Sequence, residues 1–295
     1  MTVISTRRAA GATARAKAHG PGGPLPLWYS LTLAAVLVAA TGYGLLVPGA
    51  YPAPEGVRAT LPDTLRGQDL VTLLAAIALV WGALRARAGA LAGHLVWLAV
   101  CLYVAYTYLM YVVAPYNDAL LLYIAAIGLA TYGLINGLVR LEPTAVASAF
   151  AGVPRRSLAS FLIVVASLFA TMWLVDILSV WPGGVPDSLF TYDIPSIVHV
   201  LDLAIVLPLL MMTGVLLLRG HPVAPVLAAI VLVKTLTVGL ALLSMNAFVA
   251  ASGGAVGAGE PILWSVVVAI SLAWLVAGAR RMQPVPPPWL RPRVW

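Results

Sequence analysis

The sequence predicts an all-α bundle of about eight transmembrane helices. Three observations carry the prediction: too few charges for a water-facing surface, eight apolar runs of spanning length, and basic residues gathered in alternate connections. Hydrophobic residues make up 62% of the 295 residues and charged residues 9%. A soluble domain carries roughly 25% charged residues. Lipid tails need no polar cover, so a lipid-facing surface can be built from this composition where a water-facing one cannot.

The apolar runs lie at about 27–48, 69–84, 90–113, 119–139, 158–181, 196–218, 223–247 and 262–279. Helix is the expected state for each. A span must satisfy its own backbone hydrogen bonds, and the period-2 alternation of a barrel strand is absent. Breakers separate the runs: Pro48 with Pro52 and Pro54, Pro115 with Asn117, Pro182 with Gly183 and Gly184, Pro222, and Gly253 with Gly254. The expected organisation is a basic, disordered cytoplasmic segment over 1–26, the membrane domain over 27–279, and a basic, proline-rich cytoplasmic tail over 280–295. The first run follows a long polar lead and is itself about 20 residues, so it reads as a retained span rather than a cleaved signal; cleavage after Ala50 is the alternative.

With the N-terminus inside, the cytoplasmic segments hold Arg7, Arg8, Arg15, Lys17, Arg85, Arg87, Arg140, Arg155, Arg156, Arg219, Arg280, Arg281, Arg291 and Arg293. The outer loops hold Arg58 and Arg66, and Lys234 lies within a span. The acids show the reverse bias: Glu55, Asp63, Asp118, Asp187, Asp193 and Glu260 fall outside, Asp69 stands at the outer end of span two, and Glu142 is inside. Both termini are therefore expected on the cytoplasmic side of the membrane. The net charge of +7 reads as a topology signal that also attracts anionic lipid at the cytoplasmic face, not as a nucleic-acid footprint. The single cysteine, Cys101, excludes an intrachain disulfide framework and reads as a small core residue.

Span two (DLVTLLAAIALVWGALRAR from Asp69) and span six (DLAIVLPLLMMTGVLLLRG from Asp202) both open on Asp-Leu and close on Gly then Arg. This similarity suggests two parallel four-helix halves.

Asp176 in span five, Asp202 in span six and Lys234 in span seven sit where lipid makes charge costly, roughly 2.5–3.5 kcal/mol at mid-bilayer. Lys234 is about 17 Å into its span from the inner side and Asp202 about 9 Å from the outer side, at 1.5 Å per residue. Spans six and seven form a tight hairpin, so an Asp202–Lys234 ion pair is expected. His199, three residues before Asp202, shares its helical face. Pro208 interrupts span six below Asp202 and frees a carbonyl. One reading is an outward-facing polar cavity lined by Asp176, His199, Asp202 and Lys234, with Arg66, Gln68, Asp69, Tyr192 and Asp193 at its mouth and hydroxyls from Tyr106, Tyr108 and Tyr111. Such a cavity would bind a small polar solute or pass protons. The other reading is a buried pair that fixes helix register, with the tyrosines as an aromatic belt; the belt is the favoured reading for the tyrosines.

Other constellations fail. A retinal Schiff base on Lys234 requires seven helices with the N-terminus outside. A b-type haem requires histidines at matched depth, whereas His94 is near the inner face, His199 near the outer, and His221 is in a loop. Ser252-Gly253-Gly254 lacks a strand–turn–helix context, and no HExxH, Walker A or GxGxxG phosphate loop is present. No cofactor or metal is expected.

The stretches LRGQDLVTL (65–73), YTYLMYVVAPYNDALLLYIA (106–125) and LDLAIVLPLLMMTGVLLLRGHPVAPVLAAIVLVKTLTVGLALL (201–243) resemble uncharacterised multi-pass membrane proteins of bacteria, especially high-GC, actinobacterial-type species. The resemblance covers about residues 30–245 and implies a plasma-membrane helix bundle without a known activity. The leading expectation is a small-solute or proton-coupled transporter or binding protein with its site in the outer half. The alternatives are a membrane-embedded enzyme acting on a lipid-soluble substrate, and an accessory or scaffold subunit with a membrane-protein partner.

Overall fold

The computed structural model describes residues 25–55, 59–190, 196–285 and 289–290, with the backbone alone for 187, 190 and 196. Arg7, Arg8, Arg15, Lys17, Arg58, Tyr192, Asp193, Arg291 and Arg293 lie outside the described residues.

Among the described residues, eight helices are long and apolar enough to cross a membrane: Leu27–Leu46, Leu61–Arg87, Leu91–Tyr111, Leu120–Val139, Arg155–Ser179, Ile197–Leu218, Ala224–Ala251 and Gly259–Arg281. They are numbered here as spans one to eight. At 1.5 Å per residue, even the 20-residue spans reach roughly the 30 Å of a hydrocarbon core. The even count returns Arg281 to the side on which Leu27 begins. This is the basic end, where Arg85, Arg87, Arg140, Arg155, Arg219 and Arg280 sit at span termini. Arg66 and Asp63 belong to the opposite, far end.

Span two differs most from the sequence reading. It starts at Leu61, not near residue 69, so Asp69 stands two turns inside the helix and is buried. Asp63, Thr64, Arg66 and Gln68 lower the hydropathy of those turns. The backbone nevertheless continues helical, with Pro62 in the first turn, where its missing N–H costs nothing, and Asp63 against the positive end of the helix dipole.

Spans one to four pack around a core that includes Leu33, Leu37, Leu79, Trp97, Leu98 and Val104. Spans five to eight surround a second core with Leu158, Leu162, Phe169, Leu210 and Val231. Span seven joins them, since it packs on spans two and three as well as on six and eight. The two halves are not packed alike. Span one meets span four directly, whereas span eight lies mainly on span seven and reaches span five through the stacked rings of Phe169 and Trp264, 5.0 Å apart.

Lipid provides no hydrophobic drive between spans, so close backbone approach matters more than apolar bulk. Gly67, Gly82 and Gly214 are among the glycines that supply it. A Cβ on Gly67 would stand 2.6 Å from the Met245 Cα of span seven, one on Gly82 would stand 2.9 Å from the Gly93 carbonyl of span three, and one on Gly214 would stand 3.1 Å from the Ala159 carbonyl of span five. The outer faces carry the bulk instead: Trp81, Leu121, Val164, Val175 and Ile262 are exposed. Such continuous apolar exposure fits lipid and not water.

At the basic end, residues 282–285 and 289–290, the described part of a strap after span eight, lie against the connections after spans two and four. The Gln283 N–H donates to the Ala149 carbonyl (2.8 Å) and the Glu142 N–H to the Trp289 carbonyl (3.0 Å). Leu141 and Leu290 form an antiparallel bridge. The Trp289 indole N–H donates to the Gly89 carbonyl (3.2 Å), and its ring, 2% exposed, lies 5.3 Å from that of His94. The strap therefore ties the end of span eight to the connections after spans two and four. Trp289→Ala is expected to cost about 2 kcal/mol, below the usual core value because the strap is peripheral. It should also open the bond after Arg281 to trypsin. Unchanged melting and unchanged cleavage would contradict the tie.

Candidate functional site

The membrane-depth ionisable groups named from sequence gather into one network of spans three, five, six and seven that runs from Lys234 near mid-span towards the far end. Asp202 is its centre. Tyr106 of span three donates its hydroxyl to Asp202 Oδ1 (2.7 Å), and Trp173 of span five donates its indole N–H to Oδ2 (3.0 Å). Span six leaves α-helical geometry at this place: Asp202–Val206 is a π turn, closed by the Leu207 N–H on the Asp202 carbonyl. Pro208 is the cause at sequence level. It has no N–H to continue the ladder and its ring crowds the carbonyl four residues earlier, and a widened turn relieves both.

Lys234 corrects the expectation of a direct ion pair. Its ammonium lies over the ring face of Tyr106, 3.3 Å from the centroid, while the hydroxyl of that tyrosine serves Asp202. One aromatic ring thus separates cation from carboxyl, bonded to one through its edge and to the other through its face. Spans six and seven are adjacent in sequence, but span three inserts Tyr106 between their polar faces. Lys234 is 1% exposed, and its Nζ has no hydrogen-bond partner among the described residues.

Towards the far end the network continues through His199. Its ring meets Trp173 edge-on at 4.6 Å, and its Nε2 is 2.9 Å from the hydroxyl of Ser188. That hydroxyl donates to Asp176 Oδ2, and the Ser188 N–H reaches Oδ1 at 3.3 Å. Asp176 and His199 are 3.7 Å apart. His199 therefore serves Ser188 and Asp176, although its helical spacing places it on the face of Asp202. The Asp176 side chain is 17% exposed.

A second polar cluster forms where the mouth of the cavity was expected. Asp69 is 1% exposed. Tyr51, from the connection before span two, donates to Asp69 Oδ2, and Tyr111 of span three donates to Oδ1 (2.9 Å). Burial, and then the Asp69 carboxyl beside it, push the Tyr51 phenol far above its ordinary range, so it remains a donor. Gly44 of span one makes room: a Cβ there would stand 2.0 Å from Asp69 Oδ2. Gln68 donates to the Tyr103 hydroxyl (2.5 Å), which also meets Thr72 at 2.9 Å. Tyr108 is buried against Tyr111 and Tyr123, with ring centroids 5.2 and 5.4 Å away, and its hydroxyl has no partner among the described residues. Tyr108 and Tyr111 thus face inward and are not an interfacial belt. Arg66 stays partly exposed above Asp69, with its Nε on the Gly44 carbonyl at 3.4 Å.

Span three is the hub of both clusters. Tyr111 and Tyr106 are five residues apart, roughly 140° around the helix, so one faces span two and the other span six. The Asp-Leu pairs of spans two and six, both within the helices and not at their starts, each place a carboxyl between two aromatic donors. The donors come from non-equivalent elements, however: Tyr51 and Tyr111 for Asp69, Tyr106 and Trp173 for Asp202.

Comparison with protein-family profiles, curated proteins and solved structures gives no match.

The chemistry is therefore argued from the geometry alone. Sequence reasoning missed Trp173, Ser188, Tyr51 and Gly44. Trp173 stands one turn before Asp176 and was open to discovery by that spacing. The other three are brought in by chain connections and by close packing that no helical period encodes. Among the described residues no group of three His, Cys, Asp or Glu side chains is placed to hold a metal.

Proposed function

We propose that the chain is a small-solute or proton-coupled transporter or binding protein of a bacterial plasma membrane, with both termini cytoplasmic and its polar site in the outer half. The bundle and its bilayer environment follow from the eight apolar spans. The orientation rests on the basic residues at one end. The resemblance to bacterial multi-pass proteins supports the location.

One observation carries the functional reading: Lys234 is buried at membrane depth with its amine unbonded, at the inner end of a network that reaches the far surface at Asp176. A purely structural lysine in this place would be expected to meet Asp202 directly and satisfy both charges. Here Asp202 is held by neutral donors and Lys234 keeps only a ring face. This leaves three N–H donors for an incoming anionic or polar group. The π turn at Asp202–Val206 with Pro208 is the natural place for span six to bend.

The test is a panel of small carboxylates, amino acids and sugars scored by thermal shift on purified protein, then by uptake into proteoliposomes with a luminal pH dye. Lys234→Met is expected to melt close to wild type, because the buried ammonium makes no hydrogen bond that its loss would break and the desolvation cost of the charge is removed with it. It should nevertheless lose every solute-induced shift and every flux. A variant that keeps the shift, or one whose protein is lost altogether, would remove the binding role from Lys234.

A second reading, a membrane-embedded enzyme, is favoured by the 2.9 Å approach of Ser188 to His199. In the observed arrangement the serine proton points to Asp176, and the carboxyl is near the same ring nitrogen as the serine. A hydrolytic triad orients its imidazole through the other nitrogen. Labelling of Ser188 by a fluorophosphonate would favour this reading over transport.

A further inference from the structure

At the far end, between the end of span one, the start of span two and the end of span seven, lies an open cleft of about 520 Å³. It is separate from the Lys234 network and does not depend on the reading of that network. Its walls are apolar and include Leu46, Val47 and Phe248, and Asp63, Arg66 and Ser252 supply its polar groups. Leu46 and Val47 are themselves exposed, at 81% and 41%, so the apolar side of the cleft is continuous with the lipid-facing surface. The polar side stands at a span terminus, the level of the headgroups.

The two charges in the cleft are poorly used by one another. Arg66 and Asp63 approach only to 3.9 Å, longer than a hydrogen-bonded ion pair, and both side chains keep partial exposure (32% and 22%). The guanidinium is anchored through Nε to the Gly44 carbonyl, and among the described residues its two η nitrogens make no hydrogen bond. A held guanidinium presents paired N–H groups suited to a phosphate, and a carboxylate one turn away suits a primary ammonium. Three residues of helix separate the two charges, as a short ethanolamine linker separates phosphate from ammonium.

We propose that this cleft binds the headgroup of phosphatidylethanolamine, with the phosphodiester on Arg66, the ammonium on Asp63, and the acyl chains running down over Leu46 and Val47. The neutral sum of the two side chains selects a zwitterion over an anionic lipid. The need for an N–H donor towards Asp63 selects ethanolamine over choline.

The test is native mass spectrometry of the purified full chain in detergent, with phosphatidylethanolamine, phosphatidylcholine and phosphatidylglycerol added singly at equal concentration. Wild type is expected to retain the ethanolamine lipid about tenfold better than the other two, equivalent to a tenfold ratio of dissociation constants. Asp63→Asn should abolish the preference over phosphatidylglycerol. Arg66→Gln should lower retention of all three, and Arg66→Lys should restore most of it. If Arg66→Gln does not fold, Asp63→Asn and Arg66→Lys still decide the matter, since both keep a cation at position 66. Equal retention of the three lipids by wild type would overturn the proposal, as would an unchanged preference in Asp63→Asn. Displacement of the lipid by glycerophosphoethanolamine at matched concentration would also overturn it, by showing that the ligand is a soluble head and not a lipid.

Discussion

Gly67→Ala is expected to lower the stability of the bundle by about 3 kcal/mol, the upper range for forcing a methyl group into closed packing. The added Cβ would stand 2.6 Å from the Met245 Cα and 2.7 Å from its N. These are backbone atoms, so no side-chain rotation relieves the clash and span seven must move away from span two. Span seven also packs on spans three, six and eight, and a shift there disturbs both cores. Alanine has a higher helix propensity than glycine by about 1 kcal/mol, which offsets part of the loss. Gly128→Ala is the matched control, because its Cβ would meet nothing within 4 Å, and it should be neutral or slightly stabilising. Reversible unfolding of the two variants in the same detergent decides the point, and equal midpoints would mean that spans two and seven do not touch at Gly67.

The second large effect concerns Asp69. Asp69→Ala should cost about 3 kcal/mol, because it removes the carboxyl acceptor of the buried Tyr51 phenol and one of the two acceptors of Tyr111. Tyr51 and Tyr111 each donate to a different oxygen of that carboxyl, and Tyr111 also reaches the Leu65 carbonyl at 3.0 Å. Tyr111→Phe alone should cost about 1.5 kcal/mol, since Tyr51 still donates. The double variant should lose less than the sum of the singles, with a coupling of about 1–2 kcal/mol. Strict additivity would show that the carboxyl and the phenol do not interact. The same cycle with Tyr106→Phe and Asp202→Asn would measure the equivalent bond in the other cluster.

Much of this protein is legible from composition and pattern. Eight apolar runs, their breakers and the placement of arginines define a polytopic bundle, because crossing a bilayer requires length and hydropathy that the chain states residue by residue. The same logic marks Asp176, Asp202 and Lys234, since an ionisable group among apolar neighbours is visible in one dimension. The start of span two was misplaced because polar residues in its first turns resemble a loop when only hydropathy is weighed. They are tolerated because Tyr51, Tyr103 and Tyr111 cover Gln68 and Asp69 from other elements.

Sequence alone determined the bilayer as solvent, the number of crossings and the ionisable residues that must turn away from lipid, because each of these follows from the local balance of apolar and polar groups along one helix. Tertiary structure decided who meets whom: Tyr106 stands between Asp202 and Lys234, Trp173 and Ser188 join the network, and Asp69 acquires its own phenols. Those pairings depend on the rotation and spacing of neighbouring helices, which are set by where glycines let backbones approach, and no period within a single span records them.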